Sequence, residues 1–168
     1  MGTNPSYFQG DDLPVEMVSW DDAQEFFAKL NELTGKKYRL ATEAEWEFAA
    51  RGGKLSKNYK YSGGNDIDEV AWYYQNSGST THPNGTKKAN ELGIYDMSGN
   101  VWEWCNDYWG DYTDETQTNP QGPNEGSFRV FRGGSWPDDA PHCRVSARHY
   151  ANPYNRYFNL GFRVALSL

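Results

Sequence analysis

The scarcity of aliphatic side chains is the strongest constraint on what this chain can fold into. Leu, Ile, Val and Phe together supply 26 of 168 residues, about 15%, and the formal net charge is −7; that combination normally marks a chain too polar to fold. Seven Trp and twelve Tyr change the outcome, because each buries a large surface when its polar tip finds a partner. At this length folding can bury roughly 70% of the unfolded surface. The expectation is therefore one folded domain over 1–168 with an aromatic core. No run approaches 18 apolar residues, so no membrane-spanning helix is expected. No apolar stretch follows Met1 either, so no secretory leader is expected.

Charge is unevenly placed. Residues 128–168 carry six Arg, no Lys, and only Asp138 and Asp139, a net of +4 against −11 for residues 1–127. A chain so acidic overall has no means of neutralising phosphates in bulk, which argues against nucleic acid as a partner. Two cysteines, Cys105 and Cys143, make neither a disulfide framework nor a zinc ribbon. They are compatible with one structural disulfide or with two small buried thiols.

Local signals place two helices. Ser19 is an N-cap followed by Asp21 and Asp22, and Gly35 lies just past the end, with Ala23, Phe26, Phe27, Leu30 and Leu33 on one face. Thr42-Glu43-Ala44-Glu45 is a capping box opening a second helix that buries Trp46, Ala49 and Ala50 and stops at Gly52-Gly53. Glu43, Glu45 and Glu47 read as helix-start charges on a solvated face. Residues 54–127 then become long loops rich in Gly, Asn, Ser, Asp and Tyr, broken by short apolar pieces such as Val101-Trp102-Glu103-Trp104. Loops of that length need something to hold them. Residues 128–136 read as a strand running into Gly133-Gly134, and 159–166 as a closing strand.

Five blocks occur along nearly the whole chain: Pro14-Val15-Glu16 to Ser19-Trp20; Tyr38-Arg39-Leu40-Ala41-Thr42-Glu43-Ala44-Glu45-Trp46-Glu47; Asn90-Glu91-Leu92-Gly93-Ile94-Tyr95-Asp96-Met97-Ser98-Gly99-Asn100-Val101-Trp102-Glu103-Trp104; Arg132-Gly133-Gly134-Ser135-Trp136; and Asn159-Leu160-Gly161-Phe162-Arg163. In this order they resemble the formylglycine-generating-enzyme (sulfatase-modifying-factor) family. The resemblance implies an α+β, C-type-lectin-like fold with two helices, a small antiparallel sheet and abundant loops. It also implies further N-terminal strands ahead of Met1, which leaves a cell-surface or phage-associated parent open. Ala41 stands where the family usually carries Pro.

The family's namesake enzymes bind copper through two cysteines shortly after the Gly-Gly-Ser-aromatic motif, and copper(I) requires such soft ligands. Here Trp136 is followed by Pro137-Asp138-Asp139-Ala140-Pro141-His142-Cys143, so Asp138 occupies the place of the first cysteine. One thiol does not make the pair, and no catalytic residues are assigned. A related branch uses histidine-bound iron, but His82, His142 and His149 show no i, i+4 spacing and read as loop or pairing residues. The resemblance also implies a structural calcium ion at the loop from Asp96 to Glu103. Its carried-over ligands are the carboxylates of Asp96 and Glu103 and the main-chain oxygens of Gly99 and Val101, a hard-oxygen set of the kind calcium takes.

The C-terminal stretch carries the functional expectation. Residues 137–168 contain no Glu, Lys, Gln, Met or Trp, the five types that codons ending in a pyrimidine do not encode. Residues 137–160 mix Asp, His, Ala, Pro, Tyr, Phe, Ser and Asn, all reachable by altering the adenines of an Asn codon. That pattern resembles the variable proteins of diversity-generating retroelements. Tyr150, Tyr154, Tyr157 and Phe158, interleaved with His149, Asn152 and Asn155, have the composition of an antibody paratope. Together with Asp138, Asp139 and His142 they form the expected ligand-binding set, in a variable region at 137–159. Arg144, Arg148 and Arg156 would either add contacts or brace the loop; Trp136 and Phe162 are assigned to the core. The reading is a non-catalytic protein that binds a protein or cell-surface glycan. A divergent oxidoreductase of the formylglycine-generating type and a fixed interaction domain are the alternatives.

Overall fold

The first helix forms where the capping signals place it. In the computed structural model, which describes residues 3–167, α1 spans Trp20–Thr34. Ser19 Oγ accepts from Asp22 N–H at 3.0 Å, and the Asp22 carboxylate accepts from Ser19 N–H at 2.8 Å. Gly35, at φ 67°, ends the helix, a conformation open to glycine at little cost. Ala23 and Phe27 are buried and Phe26 packs beside them. Leu33 departs from the expected stripe: it is 84% exposed, because the last turn runs past the surface the helix covers. Asn31 reaches back from that turn, its amide exchanging hydrogen bonds with Tyr38 N–H and C=O at 2.7 and 2.9 Å. This starts the short strand β1, Tyr38–Arg39.

The second helix, α2, spans Glu43–Ala50 behind a complete Thr42–Glu45 capping box. Trp46 and Ala50 are buried, while Ala49 is only partly covered. Its glutamates correct the expectation of a solvated face. Glu45 is exposed and pairs with Arg39, but Glu43 is buried and Glu47 half-buried, both against Arg132. A one-turn α3, Ile67–Val70, follows in the loop region.

The remaining strands are β2 (Trp102–Tyr108), β3 (Arg129–Arg132), β4 (Arg148–Ala151), β5 (Leu160–Phe162) and β6 (Ala165–Leu166). Four of them make one sheet in the order β4-β3-β2-β5, and β1 pairs with β6 in a separate ribbon. The sheet is mixed, not antiparallel throughout: β5 runs parallel to β2, with Trp102 opposite Leu160 and Trp104 opposite Phe162. The expected closing strand is accordingly split, β5 joining the sheet and β6 joining β1. Glu16 bridges Gly161 from the other side, so close that a Cβ on Gly161 would sit 2.2 Å from the Val15 carbonyl.

Both faces of β2 are buried. Trp102 and Trp104 point to one side with Phe131, Leu160, Leu40 and the buried residues of α1. Cys105 points to the other, with Trp46, Met97, Val130 and Val145. The aromatic core works because the indole N–H groups find acceptors: Trp104 donates to Val18 C=O at 3.0 Å and Trp46 to the Glu103 carboxylate at 2.6 Å. The long loops between α2 and β2 are held by asparagine amides standing in for backbone partners. Asn100 exchanges two bonds with the backbone of His82, and Asn90 ties Ala49 C=O to the N–H groups of Leu92 and Ile94.

Candidate functional site

The expected binding segment begins at a tight turn. Gly133 and Gly134 follow β3 at φ 104° and 75°, and a Cβ on Gly134 would lie 2.8 Å from Cys143 Cα and from His142 C=O. Glycine therefore lets the 3-10 turn Ala140–Cys143 close against the end of β3. The chain then enters β4, whose four residues pair with β3 so that His149 lies opposite Phe131 and Tyr150 opposite Val130. The His149 ring stacks on Phe131, with centroids 5.1 Å apart and planes 12° apart.

Between β4, the 138–143 turn and Tyr157 lies a cleft of about 260 Å³. Trp102, Phe131 and Leu160 line it from the core, and Asp138, His142, His149, Tyr150, Tyr157 and Asn159 from the segment expected to bind. His142 and His149 both form T-shaped pairs with Trp102, with centroids 6.4 and 6.1 Å away. Asp138 is fixed by its backbone: its N–H donates to Ser135 C=O and its C=O accepts from Tyr74 N–H, each at 3.0 Å. Its carboxylate accepts from the Ser135 hydroxyl, which in turn accepts from the Asn159 amide at 2.9 Å.

The other expected residues surround the cleft without lining it. Asp139 is exposed at the start of the 3-10 turn. Asn155 donates to Tyr157 Oη at 2.6 Å, Tyr154 is 64% exposed, and Phe158 packs on Trp136 at 5.5 Å. Asn152 is half-buried at the start of this loop. Trp136 itself is only partly buried, held between Phe158 and Phe8, which corrects its assignment to the core. Sequence reasoning missed the aromatic floor. Trp102 and Phe131 belong to different strands, and only the β2–β3 register brings them within 5.2 Å of each other.

The arginines of this segment brace the scaffold. Arg132, with a fully buried side chain, bonds Glu43 at 2.6 Å and also Glu47 and Val145 C=O. Arg148 bonds both oxygens of Glu43 and lies over Trp109. Arg156 holds Asp22 through two bonds of 2.7 and 2.8 Å, and Arg163 holds Glu103 in the same way. Arg129 is sandwiched between Trp20 and Tyr108. Arg129 and Arg144 are the two of the six without a carboxylate partner among the described residues; Arg129 donates to Asn106 C=O and Arg144 to Pro141 C=O.

Cys105 and Cys143 are free thiols, not a disulfide, and they lie in different core clusters. Burial pushes the Cys143 thiol up to about 12, with the charges of Asp138 and Asp139 adding to it, and raises Cys105 as well. A copper pair does not fit here: the first position is a carboxylate, and the remaining thiol is protonated and fully buried. His82 makes backbone bonds and stacks on Trp72 at 3.7 Å, a pairing role. Among the described residues no group of three or more His, Cys, Asp or Glu is placed to hold a metal ion.

The carried-over calcium ligands meet in part. Asp96, Val101 and Glu103 line a second, larger cavity of about 960 Å³ facing residues 3–18, whereas Gly99 is pressed against the Trp72 backbone. Asp96, in the left-handed region at φ 58°, accepts from Gly85 N–H at 2.7 Å. Burial, and after it the nearby Glu103 charge, raise the Asp96 pKa, which a bound cation would reverse. Both Glu103 oxygens already accept from Arg163, and one also accepts from Trp46. A cation here would use the second Asp96 oxygen and would have to share Glu103 with Arg163. No helix among the described residues is long and apolar enough to cross a membrane.

The chain as a whole has relatives among known proteins. The chain is 37% identical over 196 residues to the chaperone protein LppX of Paenibacillus barcinonensis, covering 87% of this chain and 67% of that protein. It is 37% identical over 169 residues to the formylglycine-generating enzyme of Streptomyces coelicolor, covering 90% of this chain and only 52% of the enzyme. The solved structure of Treponema denticola variable protein 1 superposes with a TM-score of 0.91 at 35% identity, covering 98% of this chain and 77% of that one. A protein-family model described as the sulfatase-modifying factor enzyme 1-like domain matches residues 1–168. This α+β chain, built on a C-type-lectin-like scaffold, belongs to the sulfatase-modifying factor enzyme 1-like domain family.

Proposed function

We propose that the chain is a non-catalytic binding module that displays a diversified surface on a lectin-like scaffold. The observation that carries this reading is the cleft itself. Residues 138–157 deliver polar and aromatic groups onto a Trp102–Phe131 floor, while the scaffold's arginines hold the surrounding backbone. The likeness to a variable protein at 35% identity supports it, as does the absence from residues 137–168 of the five residue types that pyrimidine-ending codons do not encode. A buried, protonated Cys143 beside Asp138 supports the absence of oxidase chemistry. The ligand class is a protein or cell-surface glycan.

The test is to sequence this gene codon by codon across its source population. Substitutions confined to adenine positions within 137–159, against a constant scaffold, are the expected result. Variation spread evenly along the gene overturns the diversified reading. The 37% identity to a formylglycine-generating enzyme favours the alternative of a divergent oxidoreductase. That alternative predicts copper-dependent oxygen consumption with a cysteine-containing peptide, and the binding reading predicts none. We further infer a structural calcium ion held by Asp96 and Glu103 with the main-chain oxygen of Val101, Gly99 shaping the turn rather than facing the cavity. Calcium then raises the melting temperature and Mg²⁺ does not; an unchanged melting temperature removes the ion from the account.

A further inference from the structure

The arrangement of charge around the cleft narrows what it takes. The segment is basic by composition, yet five of its six arginines are committed elsewhere: Arg132 and Arg148 to Glu43, Arg156 to Asp22, Arg163 to Glu103, and Arg129 to an aromatic sandwich, leaving Arg144 exposed on Pro141 C=O. None of these guanidinium groups lines the cleft. Asp138 does, and Asp139 lies next to it in the chain; both carboxylates act on the buried Cys143 thiol, pushing its pKa up. In a segment that is basic by composition, the cleft lining itself thus carries a carboxylate and no guanidinium.

The walls have matching chemistry. Trp102 and Phe131 form the floor, Phe131 stacked against the His149 ring, with His142, Tyr150 and Tyr157 at the sides. The faces of such rings are electron-rich and attract cations. Asp138 is held in place before any ligand arrives by the Ser135 and Tyr74 backbone and by the Ser135 hydroxyl. That hydroxyl occupies one carboxylate oxygen; Oδ1 has no partner among the described residues. At about 260 Å³ the cleft has room for one long side chain and is smaller than the usual small-molecule pocket.

Resting on the binding reading above, we propose that this cleft accepts a cationic side chain, the guanidinium or ammonium group of an exposed Arg or Lys on a protein ligand. The alkyl stem lies along Trp102 and Tyr157 and the charged head meets Asp138 Oδ1. A charge-assisted hydrogen bond of this kind is stronger than a neutral one, and the guanidinium plane stacks well on aromatic faces.

The experiment is an NMR titration of the intact protein with four probes: N-acetyl-arginine amide, N-acetyl-lysine amide, N-acetyl-glutamate amide and methyl-glucoside. The Trp102 indole N–H and the amides of residues 138–157 are followed. The expected result is a saturable shift of these signals with the arginine and lysine probes and none with the other two. Asp138→Asn should weaken the arginine probe by about tenfold, Tyr157→Ala should weaken it further, and Glu32→Gln, an exposed change on α1, should leave it unaltered. Native-like melting of both cleft variants excludes unfolding as the cause. Equal shifts from the glutamate probe, preference for the glucoside, or an Asp138→Asn variant that binds arginine as before would each overturn the proposal. A glucoside response at the same residues would leave the binding face intact with a glycan as its ligand. Silence from every probe, together with evenly spread gene variation, would remove both readings.

Discussion

Arg132 and Arg148 share one carboxylate: Glu43 Oε1 accepts from Arg132 at 2.6 Å and from Arg148 Nε at 2.8 Å, while Oε2 accepts from Arg148 at 2.6 Å. The three groups lie on α2, β3 and β4, so a single glutamate at the first turn of a helix fixes two strands to it. Removing one member of a buried ion cluster leaves the others desolvated and unpaired. Glu43→Ala should therefore cost about 3–5 kcal/mol of stability, read as a lower urea midpoint with little change in slope. Glu45→Ala, at an exposed pair with Arg39, should cost about 1 kcal/mol or less.

Asp107 is buried at the N-terminus of α2, where its carboxylate accepts from Glu43 N–H at 2.8 Å. Burial pushes its pKa up to about 6, with the Glu43 charge adding to it. A raised carboxylate pKa means ionisation opposes folding, so the penalty is absent below the unfolded value near 4 and complete above 6. Asp107→Asn should stabilise the protein at pH 8 by about 2 kcal/mol and change it little at pH 4. Urea midpoints at the two pH values check the sign.

Asp22 titrates the other way. Its hydrogen bonds from Arg156 hold its pKa down at about 2. The stabilisation is present above the unfolded value and fades as pH falls from about 4 toward 2. The pair is largely exposed, so the effect on global stability should be about 1 kcal/mol or less. Local order should respond more: Arg156→Ala should speed amide exchange in residues 152–158 while leaving β2 protected.

The thiols give a chemical check. Cys105 and Cys143 are both fully buried, and burial keeps them protonated. Native protein should react with a disulfide reagent only at the rate of opening, whereas denatured protein should yield two thiols at once. Immediate reaction of one thiol in the native state would place Cys143 at the cleft surface.

Gly134 connects the fold to the cleft. Ala at this position meets the Cys143 Cα and His142 C=O and also keeps φ at 75°. Gly134→Ala should cost about 2–4 kcal/mol and displace the 140–143 turn, visible as a shifted Trp102 indole signal.

Local chemistry explains what was legible in the sequence. The first helix announces itself through the Ser19 N-cap and Gly35 and the second through its capping box, because these signals are complete within a few residues. The central strand β2 is not legible, since Glu103 and Asp107 interrupt its apolar pattern. Their burial makes sense only with Arg163, Trp46 and the α2 N-terminus in place. The polar side of the cleft could be read from the composition of residues 138–157. Its floor could not, because Trp102 and Phe131 meet through strand pairing across a long loop. The parallel approach of β5 is hidden for the same reason.

The Glu43 clamp bears on how freely this surface can change. β4 keeps its place through backbone pairing with β3 and through Arg148, neither of which depends on the identity of His149 or Tyr150. Exchanges at those two positions alter the outer contour while the anchoring interactions stay the same, so each new version begins with most of its stability intact. Under the binding reading proposed above, successive surfaces would each start from a scaffold that already folds.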